Sequence, residues 1–409
     1  MPHILAQAIE IVTTALTLIG MSYFLATMVA AQIFLRERRA PRISFAPGAP
    51  ADRSSSVGWA PSVSILKSLK GLDTGMMAAF RSHCRQNYGR EFELLFGVSS
   101  LDDPAAAAVE QLIAEFPELA IRLVECPERL GTNGKVSTLI QLARHARFDF
   151  LLINDSDITV GPHYLERVMS CFAPAAQDAG IAPVGLVTAL FRGRAHGALP
   201  SRLEALAIST DFIAGVLVSK IVERGVHYGL GSTLAVRRDA LERSGGLLAL
   251  VNQLADDFEM GVRVERAGYR VVLSTEVVET SVPAYSWRGF VDHQLRWMRT
   301  VRDARPAGYS GLIFTFGLPW ALLNVLASGL SPVSLWLLGL SFFLRLSQAM
   351  TVGAAVLGDH EVLPNLWLLP IRDVVATGLW IAGFAGDTIL WRGERFVLKN
   401  GKLVKSERN

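Results

Sequence analysis

The chain has 409 residues and a net charge of only +3, which gives no case for nucleic-acid binding. Hydrophobic residues make up 51% of it and the mean hydropathy is +0.33, both high for a soluble enzyme, with the excess at the two ends. Its three cysteines, Cys84, Cys126 and Cys171, lack paired-motif spacing, which predicts reduced core residues rather than a zinc site.

The N-terminal region predicts a membrane anchor at residues 8–34. Its apolar run "IEIVTTALTLIGMSYFLATMVAAQIF" is about long enough to cross a bilayer. A cleaved signal peptide would have a positive start and a shorter apolar run, whereas here the basic cluster "LRERRAPR" follows the run. By the positive-inside rule, this pattern predicts a retained anchor followed by a cytoplasmic domain. Residues 35–60, rich in Pro, Gly and Ser, predict a linker.

Residues 61–305 alternate between short β-rich runs and helical patterns. The runs are "SVSILK", "FELLFGV", "IRLVE", "DFLLIND" and "VGLVTA". Between them, "MMAAFRSHCRQNY" and "DPAAAAVEQLIAEF" have apolar residues at helical spacing, and the second begins with a favourable Asp-Pro start. This alternation predicts an α/β fold with a mainly parallel sheet. Ligands of such sheets bind at the carboxyl ends of the strands.

Three acidic clusters stand out in this region, and two of them directly follow predicted strands. They are "LDDP" with Asp102 and Asp103, "DSDI" with Asp155 and Asp157, and "ADDFEMG" with Asp256, Asp257 and Glu259. A single Asp after a strand is usually a helix cap or a turn residue. Two carboxylates two residues apart behind an apolar strand instead predict a site for a hard divalent cation, Mg²⁺ or Mn²⁺. Such a cation would neutralise the diphosphate that leaves a nucleotide-sugar.

The third cluster has two readings that are compatible with each other. Sugar transfer to an alcohol needs a base for the hydroxyl proton, and a carboxylate near the sugar would serve. Asp256 and Asp257 would equally suit the positive end of a helix. The residues alone do not choose between these two carboxylates as the base.

The stretch "HQLRWMRT" lies just before the second apolar region. Gln294 and Trp297 are three residues apart and share a helical face. Trp suits a half-apolar boundary, where it can form a platform against a sugar or an acceptor. The alternative is an ordinary interfacial helix with a Trp anchor and snorkelling arginines. Upstream, residues 203–225 form an apolar segment that predicts either a buried helix or one that dips into the membrane interface.

Residues 311–390 predict C-terminal membrane helices, because three apolar segments there are each long enough to span. Three crossings would put the basic tail, residues 391–409, outside. Two crossings with one re-entrant or interfacial segment would keep it cytoplasmic, which the positive-inside rule favours. Arg372 and Asp373 would be functional within the membrane, or interfacial, or paired with each other.

In order and spacing, these motifs resemble glycosyltransferases of the family 2/21 type. The resemblance is to the ceramide glucosyltransferase group and to its bacterial relatives that glycosylate hopanoids. That family has three separated aspartates followed by a (Q/R)xxRW signature, matched here by Asp103, Asp155, Asp257 and "QLRW". The opening "SILKSLKGLD" has Ser68 where the family usually has Pro, and "GTNGKVSTL" resembles its Asn-x-Lys loop.

The resemblance implies a GT-A (Rossmann-like) domain and a role for each matched residue. Asp103 would lie near the uridine of the donor, and Asp155 and Asp157 would hold Mg²⁺ or Mn²⁺ against its diphosphate. Asp257 would be the general base, and Lys135 would contact phosphate. The signature residues Gln294, Arg296 and Trp297 would lie on a helix at the membrane surface, beside the donor.

The function implied is inverting transfer of a hexose from a UDP-sugar to the hydroxyl of a membrane lipid, in particular ceramide. The expected setting is a multi-pass protein of a bacterial inner membrane with its catalytic domain in the cytoplasm. Three alternatives remain open at this point: a hopanoid N-acetylglucosaminyltransferase acting on bacteriohopanetetrol, a processive polysaccharide synthase, and a catalytically inactive GT-A-like membrane scaffold. The complete set of carboxylates disfavours the scaffold, and the short chain disfavours the synthase.

Overall fold

The structure is a computed structural model that describes residues 2–39, 60–174, 180, 182–391 and 394–405. The α-helices, α1 to α14 in chain order, are Pro2–Arg39, Met76–Cys84, Pro104–Glu115, Gly134–His145, Tyr164–Met169, Leu199–Ala207, Ile213–Val222, Arg238–Arg243, Asp256–Arg266, Trp287–Ala304, Pro306–Gly311, Gly317–Ala327, Pro332–Ala349 and Leu369–Gly383. The strands, β1 to β11, are Val63–Ser68, Phe92–Val98, Ala120–Glu125, Phe150–Ile153, Ile158–Thr159, Val184–Ala195, Leu234–Arg237, Arg270–Val282, Thr388–Trp391, Glu394–Lys399 and Lys402–Lys405.

Two other kinds of helical segment complete the described chain. The 3₁₀ segments are Ser170–Phe172, Leu247–Leu250, Leu312–Thr315 and His360–Leu368. The π-helical segments are Ile208–Phe212, between α6 and α7, and Met350–Val356, after α13.

The chain divides into two compact units. The first, called the helical unit below, comprises Met1–Arg39, Arg192–Val222 and Ala284–Asn400. The second, called the sheet unit, comprises Ala40–Phe191, Glu223–Pro283 and Gly401–Asn409. The predicted domain boundaries stay a prediction, and residues 40–59 of the predicted linker lie outside the described residues.

The sheet unit is built around an eight-stranded sheet in the order β3-β2-β1-β4-β7-β6-β8-β5. Strands β3, β2, β1 and β4 are parallel, as the alternation of strands and helices predicts. The sheet is mixed beyond them, because β7 runs antiparallel to β4 and to β6, and β5 runs antiparallel to β8. The apolar runs of β1, β2 and β4 are buried almost throughout, whereas β3 at the edge buries only Ile121. Helices α2, α3 and α4 connect the four strands.

Charged side chains also lie inside this sheet, and Glu93 is one of them. Glu93, in β2, is fully buried and accepts hydrogen bonds from the Ser64 hydroxyl at 2.7 Å and from the Arg147 backbone N–H at 2.8 Å. The guanidinium groups of Arg122 and Arg147 each donate to its other oxygen at 2.9 Å. Burial alone would raise the pKa of Glu93, but the hydrogen bonds from Arg147 and Ser64 outweigh it and lower the pKa.

Replacing Glu93 with Gln is expected to lower the free energy of unfolding of the sheet unit by about 2 kcal/mol, because charge-assisted hydrogen bonds are lost in a buried position. Since the folded-state pKa is lowered, the stabilisation is complete above the ordinary value of 4.5 and is lost as the pH falls through the folded-state value. Denaturant titration at several pH values measures both effects. Glu91→Gln is the control, since the Glu91 side chain is 60% exposed in its pair with Arg147; an equal loss in both variants would contradict the prediction.

The helical unit contains the apolar segments of the chain. Among the described residues, four helices are long and apolar enough to cross a membrane: Ile4–Arg39, Leu199–Val222, Pro332–Val356 and His360–Gly383. A fifth candidate is the pair Pro306–Thr315 and Gly317–Ala327, bent by 54° at its break. The predicted anchor therefore lies in a helix with the length and composition of a span, and the apolar segment predicted at residues 203–225 overlaps another such helix, Leu199–Val222. Large apolar side chains on these helices, among them Leu326 and Trp336, are exposed, as expected where lipid surrounds them.

Candidate active site

The loop after β4 carries the first group of site residues, and a buried polar network holds it in place. The Asn154 side chain donates to the Tyr164 hydroxyl at 2.9 Å and to the Ser232 carbonyl oxygen at 2.7 Å. Its Oδ1 lies 3.2 Å from Nε2 of His83. All four residues are buried, so this hydrogen-bond network holds the backbone next to Asp155 in place.

Lys135 connects two of the acidic clusters. Its Nζ lies 2.7 Å from Oδ1 of Asp155 and 3.6 Å from Oδ2 of Asp256. Lys135 is in the first turn of α4, and Asn133 caps that helix by accepting a hydrogen bond from the Val136 backbone N–H at 3.1 Å. Burial alone would lower the pKa of Lys135, but the charges of Asp155 and Asp256 raise it, so the lysine stays cationic.

Asp256 and Asp257 begin α9 but point to different partners. Asp256 is buried and accepts a hydrogen bond from the Asn133 side chain at 3.3 Å, beside Lys135. The Asp257 carboxylate lies at Gly231, where a Cβ would be 3.1 Å from its Oδ2 and 3.5 Å from Oδ2 of Asp155. The carboxylates of Asp155 and Asp257 therefore converge on the same glycine, and the missing side chain leaves room beside both. Burial, with Asp256 next to it, raises the pKa of Asp257.

Asp157 lies at the end of the same loop as Asp155. It accepts a hydrogen bond from the Thr280 hydroxyl of β8 at 2.5 Å. Burial and the neighbouring charge of Asp155 raise the pKa of Asp157 to about 6. Two carboxylates that repel each other in this way are stabilised by a shared cation.

Asp103 follows β2 and has a structural role that the sequence also allowed. Its Oδ1 accepts from the Ala105 backbone N–H at 2.9 Å, which caps α3. The same carboxylate accepts from the Gly71 backbone N–H at 2.9 and 3.1 Å, which ties down the loop after β1. A contact of Asp103 with a nucleotide stays a prediction.

Lys67 is a site residue that the sequence reading did not single out. It lies in β1 and is fully buried, and its Nζ donates to the main-chain carbonyl oxygen of Asp155 at 3.0 Å. Burial lowers the pKa of Lys67 to about 7, although Asp157 and Asp155 raise it. A lysine at the end of an apolar strand was the available signal, because a buried lysine needs a carboxylate or a carbonyl close by.

The signature stretch lies on α10, in the helical unit. Gln294 is buried there. The Trp297 ring lies 5.5 Å from the His293 ring and 5.9 Å from the Phe212 ring, measured between centroids. His293 in turn lies 3.1 Å from a carboxylate oxygen of Glu204. Trp297 is thus held against aromatic neighbours, while Arg296 is partly exposed.

The model of the family described as "Glycosyl transferase family 21" matches residues 12–404. The chain belongs to glycosyl transferase family 21. Individual relatives agree with this assignment. Ceramide glucosyltransferase 1 of Caenorhabditis elegans is 23% identical over 363 residues, which covers 85% of this chain and 74% of the relative. The ceramide glucosyltransferase of Komagataella phaffii is 31% identical over 109 residues, or 26% of this chain and 21% of the relative.

Among solved structures, this family 21 chain is similar to the mannosyltransferase PcManGT of Pyrobaculum calidifontis, which was solved with GDP-Man and Mn²⁺. The TM-score is 0.51 at 19% identity, and the match covers 93% of this chain and 97% of the other. The similarity confirms the predicted GT-A fold. The resemblance to ceramide glucosyltransferases that the motifs indicate is confirmed by the family match and by the relatives.

The acidic residues fit a divalent cation held jointly with a substrate. Within the described residues, no group of three or more His, Cys, Asp or Glu side chains forms a complete cation cage. Mg²⁺ and Mn²⁺ in nucleotide sites commonly use one or two carboxylates, with phosphate oxygens and waters as the other ligands. Asp155, beside the space at Gly231, and Asp157, two residues later on the same loop, supply carboxylates that match that donor set.

Proposed function

We propose that this family 21 glycosyltransferase transfers a hexose from a UDP-sugar to the hydroxyl of a membrane lipid, ceramide in the first place. The observation that carries the proposal is the convergence of the Asp155 and Asp257 carboxylates at Gly231, next to the cationic Lys135. Negative groups for a cation, a positive group for phosphate and a carboxylate available as a base are what transfer from a nucleotide-sugar needs.

The donor would be held by residues from several elements. Asp155 and Asp157 would hold Mg²⁺ or Mn²⁺, which when bound neutralises the negative charge that builds up on the leaving diphosphate. Lys135 is already ordered by its two carboxylates, and it would turn toward a phosphate oxygen when the donor binds. Asp103 would contact the uridine end of the donor, and Gln294, Arg296 and Trp297 would contact its diphosphate and sugar.

The chemical step is a direct displacement at the anomeric carbon. The lipid oxygen forms the new bond to this carbon as the bond to the diphosphate oxygen breaks, and UDP leaves with the electron pair. Asp257 accepts the hydroxyl proton. Attack from the face opposite the leaving group inverts the anomeric configuration and passes through an oxocarbenium-like state. The raised pKa of Asp257 supports this role, since a base works best when its pKa is near the working pH.

A lipid acceptor is supported by the helical unit and by the names of the relatives. Apolar side chains are exposed on helices of membrane-spanning length, so a lipid would approach from the same phase that surrounds them. Two relatives are ceramide glucosyltransferases by name. The basic end of α1, with Arg36, Arg38 and Arg39, supports a cytoplasmic position for the chain after it, in a bacterial inner membrane.

The test is a transfer assay with the full-length protein in detergent. It is incubated with Mg²⁺ or Mn²⁺, a panel of UDP-sugars, and ceramide, diacylglycerol or bacteriohopanetetrol, with Asp257→Asn as the control. A glucosylated ceramide formed by the wild type alone supports the proposal. N-acetylglucosamine on bacteriohopanetetrol would replace it with the hopanoid reaction. Absence of product and of UDP release in every combination would contradict transferase activity and favour an inactive scaffold.

A further inference from the structure

The helical unit contains a cluster of four charged side chains, three of them buried, that has no part in the proposed chemistry. Arg345 of α13 lies 2.8 Å from Asp373 of α14 and 2.5 Å from Asp211 of the π-helical segment. Arg372 of α14 lies 3.4 Å from the other oxygen of Asp211. Ionisable groups among apolar helices are costly to bury and commonly mark a ligand site.

The two arginines differ in how well their donors are used. Every guanidinium nitrogen of Arg345 donates a hydrogen bond, to Asp373, Gln348, Asp211 or Thr210. By contrast, Nε and Nη1 of Arg372 are buried without a hydrogen-bond partner among the described residues. The side chain is only 4% exposed. Buried donors without a partner are rare and costly in folded proteins, and a bound ligand that supplies the acceptor would satisfy them.

The cluster is open at Asp211. The side chain of this residue is 31% exposed, compared with 3% for Arg345 and 9% for Asp373. Asp211 lies in a π-helical turn, a distortion found frequently at functional sites. The next residue, Phe212, packs against Trp297 of the signature helix with ring centroids 5.9 Å apart. The partly exposed carboxylate of Asp211 is therefore next in sequence to a residue that contacts Trp297, which belongs to the proposed donor site.

The charges of the cluster select the kind of ligand. Arg345 and Arg372 are balanced by Asp211 and Asp373, so the cluster is formally neutral and has no surplus charge for a phospholipid headgroup. The groups available to a ligand are N–H donors of Arg372 and the partly exposed carboxylate of Asp211, which accepts from Arg345 through Oδ1 and has further lone pairs. A neutral ligand that offers a carbonyl oxygen and an N–H together is complementary to both.

We propose that Arg372 and Asp211 bind the amide of a ceramide-type acceptor, an inference that rests on the proposed function. The Arg372 N–H groups donate to the amide carbonyl oxygen, and the Asp211 carboxylate accepts from the amide N–H. A diacylglycerol has carbonyl oxygens but no N–H, and its single hydroxyl is the group that would react. The pair therefore selects amide lipids over ester lipids.

The test measures lipid binding without any sugar donor. Short-chain ceramide, its N-methyl analogue and a matched diacylglycerol are added to the full-length protein in detergent, and the shift in unfolding temperature is titrated. We expect wild type to bind ceramide about tenfold more tightly than either analogue, since each lacks the donor for a charge-assisted hydrogen bond. Equal affinity of wild type for all three lipids would overturn the proposal without any variant.

The variant is Asp211→Ala with Arg372→Met, which removes both the acceptor and the donors and keeps the cluster neutral. It is expected to bind ceramide about tenfold more weakly and to lose the preference over the diacylglycerol. Asn324→Ala is the matched control, because Asn324 is a buried polar residue of this unit that donates to the Thr14 hydroxyl at 2.6 Å. It is expected to lose stability but keep the preference. If the double variant still preferred ceramide over the diacylglycerol, the cluster would have only a structural role and the proposal would be overturned.

The same data separate this site from the proposed function. Wild-type protein that prefers ceramide in the binding assay but transfers no sugar would support the site and contradict the transfer reaction. Protein that glycosylates ceramide but binds all three lipids equally would support the transfer reaction and contradict the amide site.

Discussion

The Asp257→Asn variant is expected to lose about 10²- to 10⁴-fold in kcat for lipid glycosylation, the range typical of a missing general base. Asparagine has nearly the same shape as aspartate but cannot accept the hydroxyl proton. The KM for the UDP-sugar should change little, because the Asp155 and Lys135 contacts are retained. Steady-state kinetics with saturating lipid and varied donor measure both constants.

The neighbouring residue gives the control for this prediction. Asp256→Asn removes the buried charge beside Lys135 and weakens the hydrogen bond from Asn133, so it should raise the KM for the donor more than it lowers kcat. A deeper loss of kcat in Asp256→Asn than in Asp257→Asn would reverse the proposed roles. Circular dichroism and gel filtration in detergent check that both variants are folded.

The sheet and the location of the site were predictable because their signals are local. An apolar run such as "FELLFGV" can be satisfied only by burial, and it forms β2 over Phe92–Val98 as predicted. The aspartates that follow β2 and β4 then come to the carboxyl edge of the parallel strands, whatever the details of packing. The long strand β8, which pairs antiparallel with β5, was not predicted, since pairing between distant segments leaves little trace in a short window.

The different roles of Asp256 and Asp257 could not be predicted from the sequence either, because they depend on contacts with distant segments. Both residues begin one helix and are chemically identical, and the distinction comes from what each one faces. Asp256 meets Asn133 and Lys135, which are more than a hundred positions earlier in the chain. Asp257 meets Gly231, which lies in a separate loop of the chain.

The sequence left open that the adjacent residues Arg372 and Asp373 pair with each other, and helix geometry disfavours this pairing. Adjacent residues on a helix point about 100° apart, so they do not face each other well. In the structure each has a partner on another segment: Asp373 pairs with Arg345, and Arg372 lies beside Asp211. Side-chain direction on the helix, rather than distance along the chain, decides the pairing.

Gly231→Ala is the second prediction with a large expected effect. A Cβ at this position would lie 3.1 Å from Oδ2 of Asp257, closer than an ordinary van der Waals contact, and 3.5 Å from Oδ2 of Asp155. The Asp257 carboxylate would have to shift by a few tenths of an ångström, and the new methyl group would fill the space beside Asp155 where the proposed cation and diphosphate bind. We expect affinity for UDP with Mn²⁺, and with it kcat/KM, to fall about ten- to a hundredfold.

Gly134→Ala is the control for this substitution, because it adds the same methyl group next to another site residue, Lys135. A Cβ there meets nothing within 4 Å, and Gly134 is the first residue of α4. Alanine favours the helix, so this variant should keep wild-type affinity and stability or slightly exceed them. Calorimetric titration of both variants with UDP and Mn²⁺ makes the comparison. Equal affinity in the two variants would mean that the space at Gly231 is not where the metal–nucleotide complex binds.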